Sequence, residues 1–192
     1  MPAAASTCGG GGVGGGGGCA CVGVRGEGTS ADASVDAGTE VAKVLADIAY
    51  KTDAVLSWPE GPGRGRFRFI VGLGKASVND PLEAVRIATD TVEALSGLSA
   101  DLLTPISASL GLSRGTVSTV RDAQGRLLRY SPIGAVIEVA EGLADVGDPA
   151  EVLVAGEVYR LARRDYAFEP ETREVDVRTE AGAAPQAMTA WA

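Results

Sequence analysis

The chain has 192 residues, enough for one domain of ordinary size plus tails. It is 45% hydrophobic but only 5% aromatic, so its core must be built from Val, Leu, Ile and Ala. The net charge of −8 repels phosphate backbones and anionic lipid, so neither nucleic acid nor a membrane surface is an expected partner. The basic clusters Arg64/Arg66/Arg68 and Arg160/Arg163/Arg164 read as solvated faces rather than binding sites.

No apolar run has transmembrane length, and the N-terminus carries neither a basic n-region nor an apolar h-region. The three cysteines, Cys8, Cys19 and Cys21, are an odd number clustered near a glycine tract, which does not make a disulfide framework. The chain contains no histidine, so Cys19-Ala20-Cys21 has no partners for a structural zinc site. For the same reason Ser109 and Ser113 cannot belong to a Ser-His triad. A cytoplasmic protein with reduced thiols and no metal or cofactor is the simplest expectation.

Residues 1–18 are low complexity and are expected to be a disordered glycine-rich tail. A short strand is expected at Cys19–Val24, followed by a polar loop. Val41, Val44, Leu45 and Ile48 fall at helical spacing and predict an amphipathic helix over Glu40–Lys51. Ala54–Trp58 and Phe67–Val71 read as a hairpin around a Pro- and Gly-rich loop. Gly72-Leu73-Gly74-Lys75 is a strand-ending turn without the spacing of a phosphate loop.

Asp80-Pro81 opens the strongest helix, with Asp80 expected as the cap and Pro81 in the first turn. Val85, Ala88, Val92 and Leu95 line its apolar face through to Gly97. Ile106, Ala108, Leu110 and Leu112 alternate with small polar residues, which predicts a strand with one buried face. Val117–Val120 and Leu127–Tyr130 flank the turn Asp122–Gly125. A helix at 135–145, a strand at 151–155, a helix at 156–164 and a short strand at Tyr166–Phe168 follow. Val175 and Val177 suggest one more strand, and 181–192 reads as a tail or an edge strand. Val85, Val92, Leu110, Ile133 and Val154 are the expected core. Asp80/Glu83 and Glu169/Glu171 are carboxylate pairs that solvation explains. The mixture predicts an α+β fold with a mixed or antiparallel sheet.

This order of elements, with Tyr130-Ser131-Pro132-Ile133-Gly134 opening a helix after a hairpin, resembles the catalytic domain of class III adenylate/guanylate cyclases. The resemblance spans roughly residues 19–180. It implies a ferredoxin-like core, and two domains paired head to tail with the nucleotide between them. It further implies two metal-binding aspartates, an Asn/Arg pair for ribose and transition-state charge, and a Lys with an Asp or Thr reading the base.

The chain departs from that pattern at nearly every chemical position. In Val22-Gly23-Val24-Arg25-Gly26 the first metal position is Gly23. Counting back from Gly72-Leu73, the second is Gly65, 42 residues later. The base-reading positions fall on Gly61 and Ser131. Along Gly134–Gly142 the Asn position is Glu138 and the Arg position is Gly142. A carboxylate facing a triphosphate repels it, and glycine supplies no cation. Arg178 stands where the family has a triphosphate-binding Lys.

The resemblance therefore implies a catalytically defective cyclase-homology domain, a dimerising or regulatory signalling module. Its partner would be a second copy, or another cyclase-like or signalling domain, and nucleotide binding would lack most of its usual contacts. The alternatives are an active or heterodimer-dependent cyclase, another nucleotide-binding enzyme, and an unrelated α+β domain. A heterodimer half that lacks metal ligands should keep the Asn/Arg pair, and this chain keeps neither.

Overall fold

The computed structural model describes residues 17–27, 35–58, 65–74, 77–102, 105–170, 172–177 and 186–192. Twelve elements follow in the order β1 (Gly17–Glu27), α1 (Val35–Lys51), β2 (Val55–Ser57), β3 (Arg66–Val71), α2 (Asp80–Leu102), β4 (Ser107–Arg121), β5 (Leu127–Ile133), α3 (Val136–Val146), β6 (Val152–Ala155), α4 (Gly156–Ala162), β7 (Arg173–Val177) and β8 (Gln186–Trp191). The sheet order is β2-β3-β1-β4-β6-β8-β7, with β5 pairing β4 as an arm. All pairings are antiparallel except β4 with β6, so the sheet is mixed and the fold is α+β, as expected.

Strand periodicity sorts the core into two layers. Phe67, Phe69 and Val71 of β3, Leu110 and Leu112 of β4 and Val154 of β6 point to one side. There they pack with Val41, Leu45 and Ile48 of α1, Ala84, Ile87, Ala88 and Leu95 of α2, and Val158 of α4. On the other side, Ile70, Leu73 and Val117 meet Val136, Ile137 and Ala140 of α3. Leu143 of α3 continues that layer onto Leu153, Val175, Val177 and Ala190. Val85, Leu110 and Val154 are core, and Val92 packs half-buried against it.

Several expectations are corrected. The segments at Ile106–Leu112 and Val117–Val120 are one 15-residue strand, β4. Both of its faces are buried over 108–113, because α3 covers the side that carries Ser109, Gly111 and Ser113. Ile133 is 58% exposed, because it stands opposite Thr116 on the side of the β4–β5 arm that faces away from α3. Tyr166–Phe168 is not a strand; Phe168 instead packs edge-on against Tyr159. The segment expected as a tail or edge strand holds β8, which is inserted between β6 and β7.

β1 begins at Gly17, two residues inside the segment assigned to the tail, and lies centrally between β3 and β4; residues 1–16 lie outside the described residues. α1 starts earlier than expected, at Val35, and α2 runs on to Leu102.

The start of α2 also differs from expectation. Ser77, not Asp80, is the cap: its Oγ accepts from the Asn79 N–H at 3.2 Å, and Asp80 Oδ2 accepts from the Ser77 N–H at 2.8 Å. This is a capping box with Asp in the place of the usual Glu. It buries Asp80 to 5% exposure, so solvation does not explain this carboxylate.

Candidate functional site

Of the positions singled out by the sequence, Gly23 lies beside Gly111 on the sheet covered by α3, and Glu138 and Gly142 lie on α3 itself. Small residues let that helix sit very close to β4. A Cβ on Gly111 would lie 2.0 Å from the Ala140 carbonyl oxygen and 2.6 Å from the Ala144 nitrogen. Ser109 Oγ donates to the Ala144 carbonyl at 2.5 Å, and Ser113 Oγ donates to the Val136 carbonyl at 2.5 Å. These two hydroxyls are therefore structural pins for α3, satisfied in a buried setting.

Gly23 stands opposite Arg68 of β3 on one side and Gly111 of β4 on the other. Gly65, with φ 43°, immediately precedes Arg66 at the start of β3. Arg66 Nη2 reaches Asp145 Oδ1 at 2.9 Å, and Arg68 Nε pairs with Glu141. Two residues along a strand span about 6.6 Å and four along a helix about 6 Å, so the two pairs form matched rungs between β3 and α3. Arg66 and Arg68 are thus not a solvated face; their charge is matched by α3. The rungs escaped the sequence reading, although the i, i+2 arginines and i, i+4 carboxylates were a usable signal.

Further along α3, Glu138 is exposed in the first turn. One turn later, a Cβ on Gly142 would lie 2.4 Å from Val177 Cγ1. Ser131 is exposed on β5 opposite Ser118. Gly61 and Arg178 lie outside the described residues. The β4–β5 arm is tied back to the domain by Arg121, whose guanidinium donates to the carbonyls of Leu73, Gly74 and Gly125. Gly125 takes φ 80° in the turn.

Asp122 also shapes that turn. Partial burial works to raise its pKa, but the Arg126 N–H, the Arg126 guanidinium and the Gln124 N–H outweigh it and hold the carboxyl below its usual value.

Two divalent metals, which the resemblance implies, do not fit these residues. Glycine offers no side-chain carboxylate at 23 or 65, and Arg66 and Arg68, the neighbouring charges on β3, are cationic. Among the described residues no group of three His, Cys, Asp or Glu side chains could hold a metal ion.

No protein-family model and no curated protein sequence matches the chain. Solved structures do match in fold. The adenylyl cyclase CyaB from P. aeruginosa is 15% identical, with 92% of this chain and 93% of that one covered and a TM-score of 0.72. The guanylate cyclase domain of RhGC from Catenaria anguillulae, solved with GTP, is 14% identical, with 91% and 95% covered and a TM-score of 0.71. The non-canonical dimeric guanylyl cyclase domain of the RhoGC fusion protein from the aquatic fungus Blastocladiella emersonii is 13% identical, with 91% of this chain and 95% of that one covered and a TM-score of 0.67. The chain has the fold of class III adenylyl/guanylyl cyclase catalytic domains. Among the described residues no helix is long and apolar enough to cross a membrane.

Proposed function

We propose that this is a catalytically defective cyclase-fold domain that works by pairing, as a dimerising or regulatory module in cytoplasmic signalling. The observation that carries the reading is the fit of Gly142 against Val177. The position aligned with the transition-state arginine is filled from the neighbouring strand, so a side chain there meets packed protein within its first carbon. Glu138, one turn earlier, presents a negative charge where the family orients ribose. Gly23 and Gly65 supply no metal ligand, and Gly61 and Ser131 stand at the base-reading positions. Arg178, at the position of the family's triphosphate-binding Lys, is the one family-like charge kept, and a single cation is too little to hold a triphosphate.

The pairing surface in this reading is the outward side of the β4–β5 arm. Val120, Leu128 and Ile133 are 44%, 65% and 58% exposed there, beside Ser131. The partner is a second copy or another cyclase-like domain. The test is production of cyclic AMP or cyclic GMP by the purified chain with ATP or GTP and Mn²⁺, alongside a thermal shift with the same nucleotides. Neither product nor shift is expected. Turnover that is lost on changing Arg178→Ala would overturn the reading.

A further inference from the structure

The helices α1, α2 and α4 form one layer, with α2 over β1 and β4, α1 toward β2 and α4 toward β6. Two unlike features flank α2 in this layer. On the α1 side lies an open groove of about 480 Å³, with Val44, Ile48 and Ala94 on its walls and charged residues of α1 and α2 along it. Lys51 there is paired with Asp47 at 2.6 Å, and Arg86 with Glu83 at 2.7 Å. Asp90 and Glu93 have no ion-pair partner among the described residues, which leaves two uncompensated carboxylates beside apolar surface.

On the other side of α2, α4 and the turn after it present the complement. Leu161 is 46% exposed, and Arg163 and Arg164 beside it are exposed with no ion-pair partner among the described residues. Among the described residues Arg160 has one ion pair, with its neighbour Glu157 at 3.8 Å.

We infer that this helical layer is a second self-association surface, distinct from the β4–β5 arm, on which Leu161, Arg163 and Arg164 of one copy seat on the groove of another, with the arginines facing Asp90 and Glu93. A two-fold axis running along α2 makes the contact reciprocal. It exchanges the α1 side of one copy with the α4 side of the other, so both grooves are filled and the assembly closes as a dimer. Two uncompensated carboxylates meet two uncompensated arginines at each end. The overall charge of −8 opposes approach everywhere else, so the complementarity gives this one face its specificity. Exposed ion pairs are individually weak and screened by salt. The expected dimer is therefore weak, with a Kd on the order of 10–100 μM that rises with ionic strength.

The experiment is sedimentation of the full chain at concentrations spanning that range, in low and in high salt. It compares the wild type with the arm variant L128D/I133D and, in the background of that arm variant, with D90R/E93R, with R163E/R164E and with the four charge changes combined. All changed positions lie on the surface, and far-UV circular dichroism checks that each variant is folded. The expected result is a salt-sensitive dimer weakened at least about tenfold in each charge-reversed pair, restored in the combined variant and retained in the arm variant. A wild type that stays monomeric throughout the range overturns the inference. So does a dimer that survives both charge reversals, or folded reversals that the combination fails to restore. Loss of the dimer in the arm variant itself would favour the arm as the pairing surface and overturn only this second one.

Discussion

Gly142 of α3 sits directly against Val177 of β7, with its missing Cβ position 2.4 Å from Val177 Cγ1. The contact joins the helix that would bear the catalytic Asn/Arg pair of a cyclase to the strand at the far edge of the sheet. It makes glycine at 142 a packing requirement. Gly142→Ala should cost about 1–3 kcal/mol in chemical denaturation through overpacking. Adding Val177→Ala should recover part of that loss, because the smaller residue vacates the space. An additive double variant would show that the two residues do not share the contact.

Gly111 under α3 is a stricter case. Its Cβ would meet backbone, 2.0 Å from the Ala140 carbonyl oxygen, and backbone cannot swing aside as a side-chain tip can. Gly111→Ala should destabilise by about 3 kcal/mol or more, the scale of a severe core disruption. The neighbouring Leu110 is 0% exposed and faces the other layer, so Leu110→Ala should cost about 2–5 kcal/mol through the cavity it leaves. An unchanged denaturation midpoint for either variant contradicts the packing described.

Asp80 gives a pH test with a definite sign. Burial pushes its carboxyl above the ordinary value of 3.8, against the Ser77 N–H and the charge of Arg114, which pull it down. A folded-state pKa above the unfolded one means that the native state holds this proton more tightly. The stability this group contributes is fully present below pH 3.8 and is lost as pH rises through the folded pKa. Asp80→Asn keeps an acceptor for Ser77 but does not titrate. The stability of the wild type relative to this variant should therefore fall as pH rises above 3.8. A relative gain with rising pH would mean that Ser77 and Arg114 outweigh burial.

Ala150 carries φ 66° in the connection between α3 and β6, a left-handed conformation that strains a residue with a Cβ. Its N–H donates to the Ala108 carbonyl at 2.9 Å, so the geometry is held by pairing with the sheet. Ala150→Gly should relieve the strain and raise the melting temperature, by up to about 1 kcal/mol of stability after the extra chain entropy of glycine is subtracted. A lower melting temperature would place the entropy loss above the strain.

What the sequence determined by itself is the local grammar of this protein. The alternation Phe67, Phe69, Val71 and the spacing Val41, Leu45, Ile48 mark faces that must leave water, whatever covers them. Asp122–Gly125 marks a turn, because few residues tolerate a left-handed φ there. With the element order, these features were enough to reach the cyclase-like fold.

Only the tertiary structure decided which surfaces meet. The small residues Ser109, Gly111 and Ser113 look like the solvent side of a strand until α3 is laid on them, because small polar residues suit both water and a closely packed helix. Ile133 looks like core until the pairing of β5 with β4 turns it to the side of the arm away from α3. β8 looks peripheral because its place between β6 and β7 depends on hydrogen bonds to strands distant in the chain, which leave no local pattern. The rungs from Arg66 and Arg68 to Asp145 and Glu141 join residues 79 and 73 positions apart. Attraction between charges depends on separation in space, and that separation exists only once the sheet has brought β3 beneath α3.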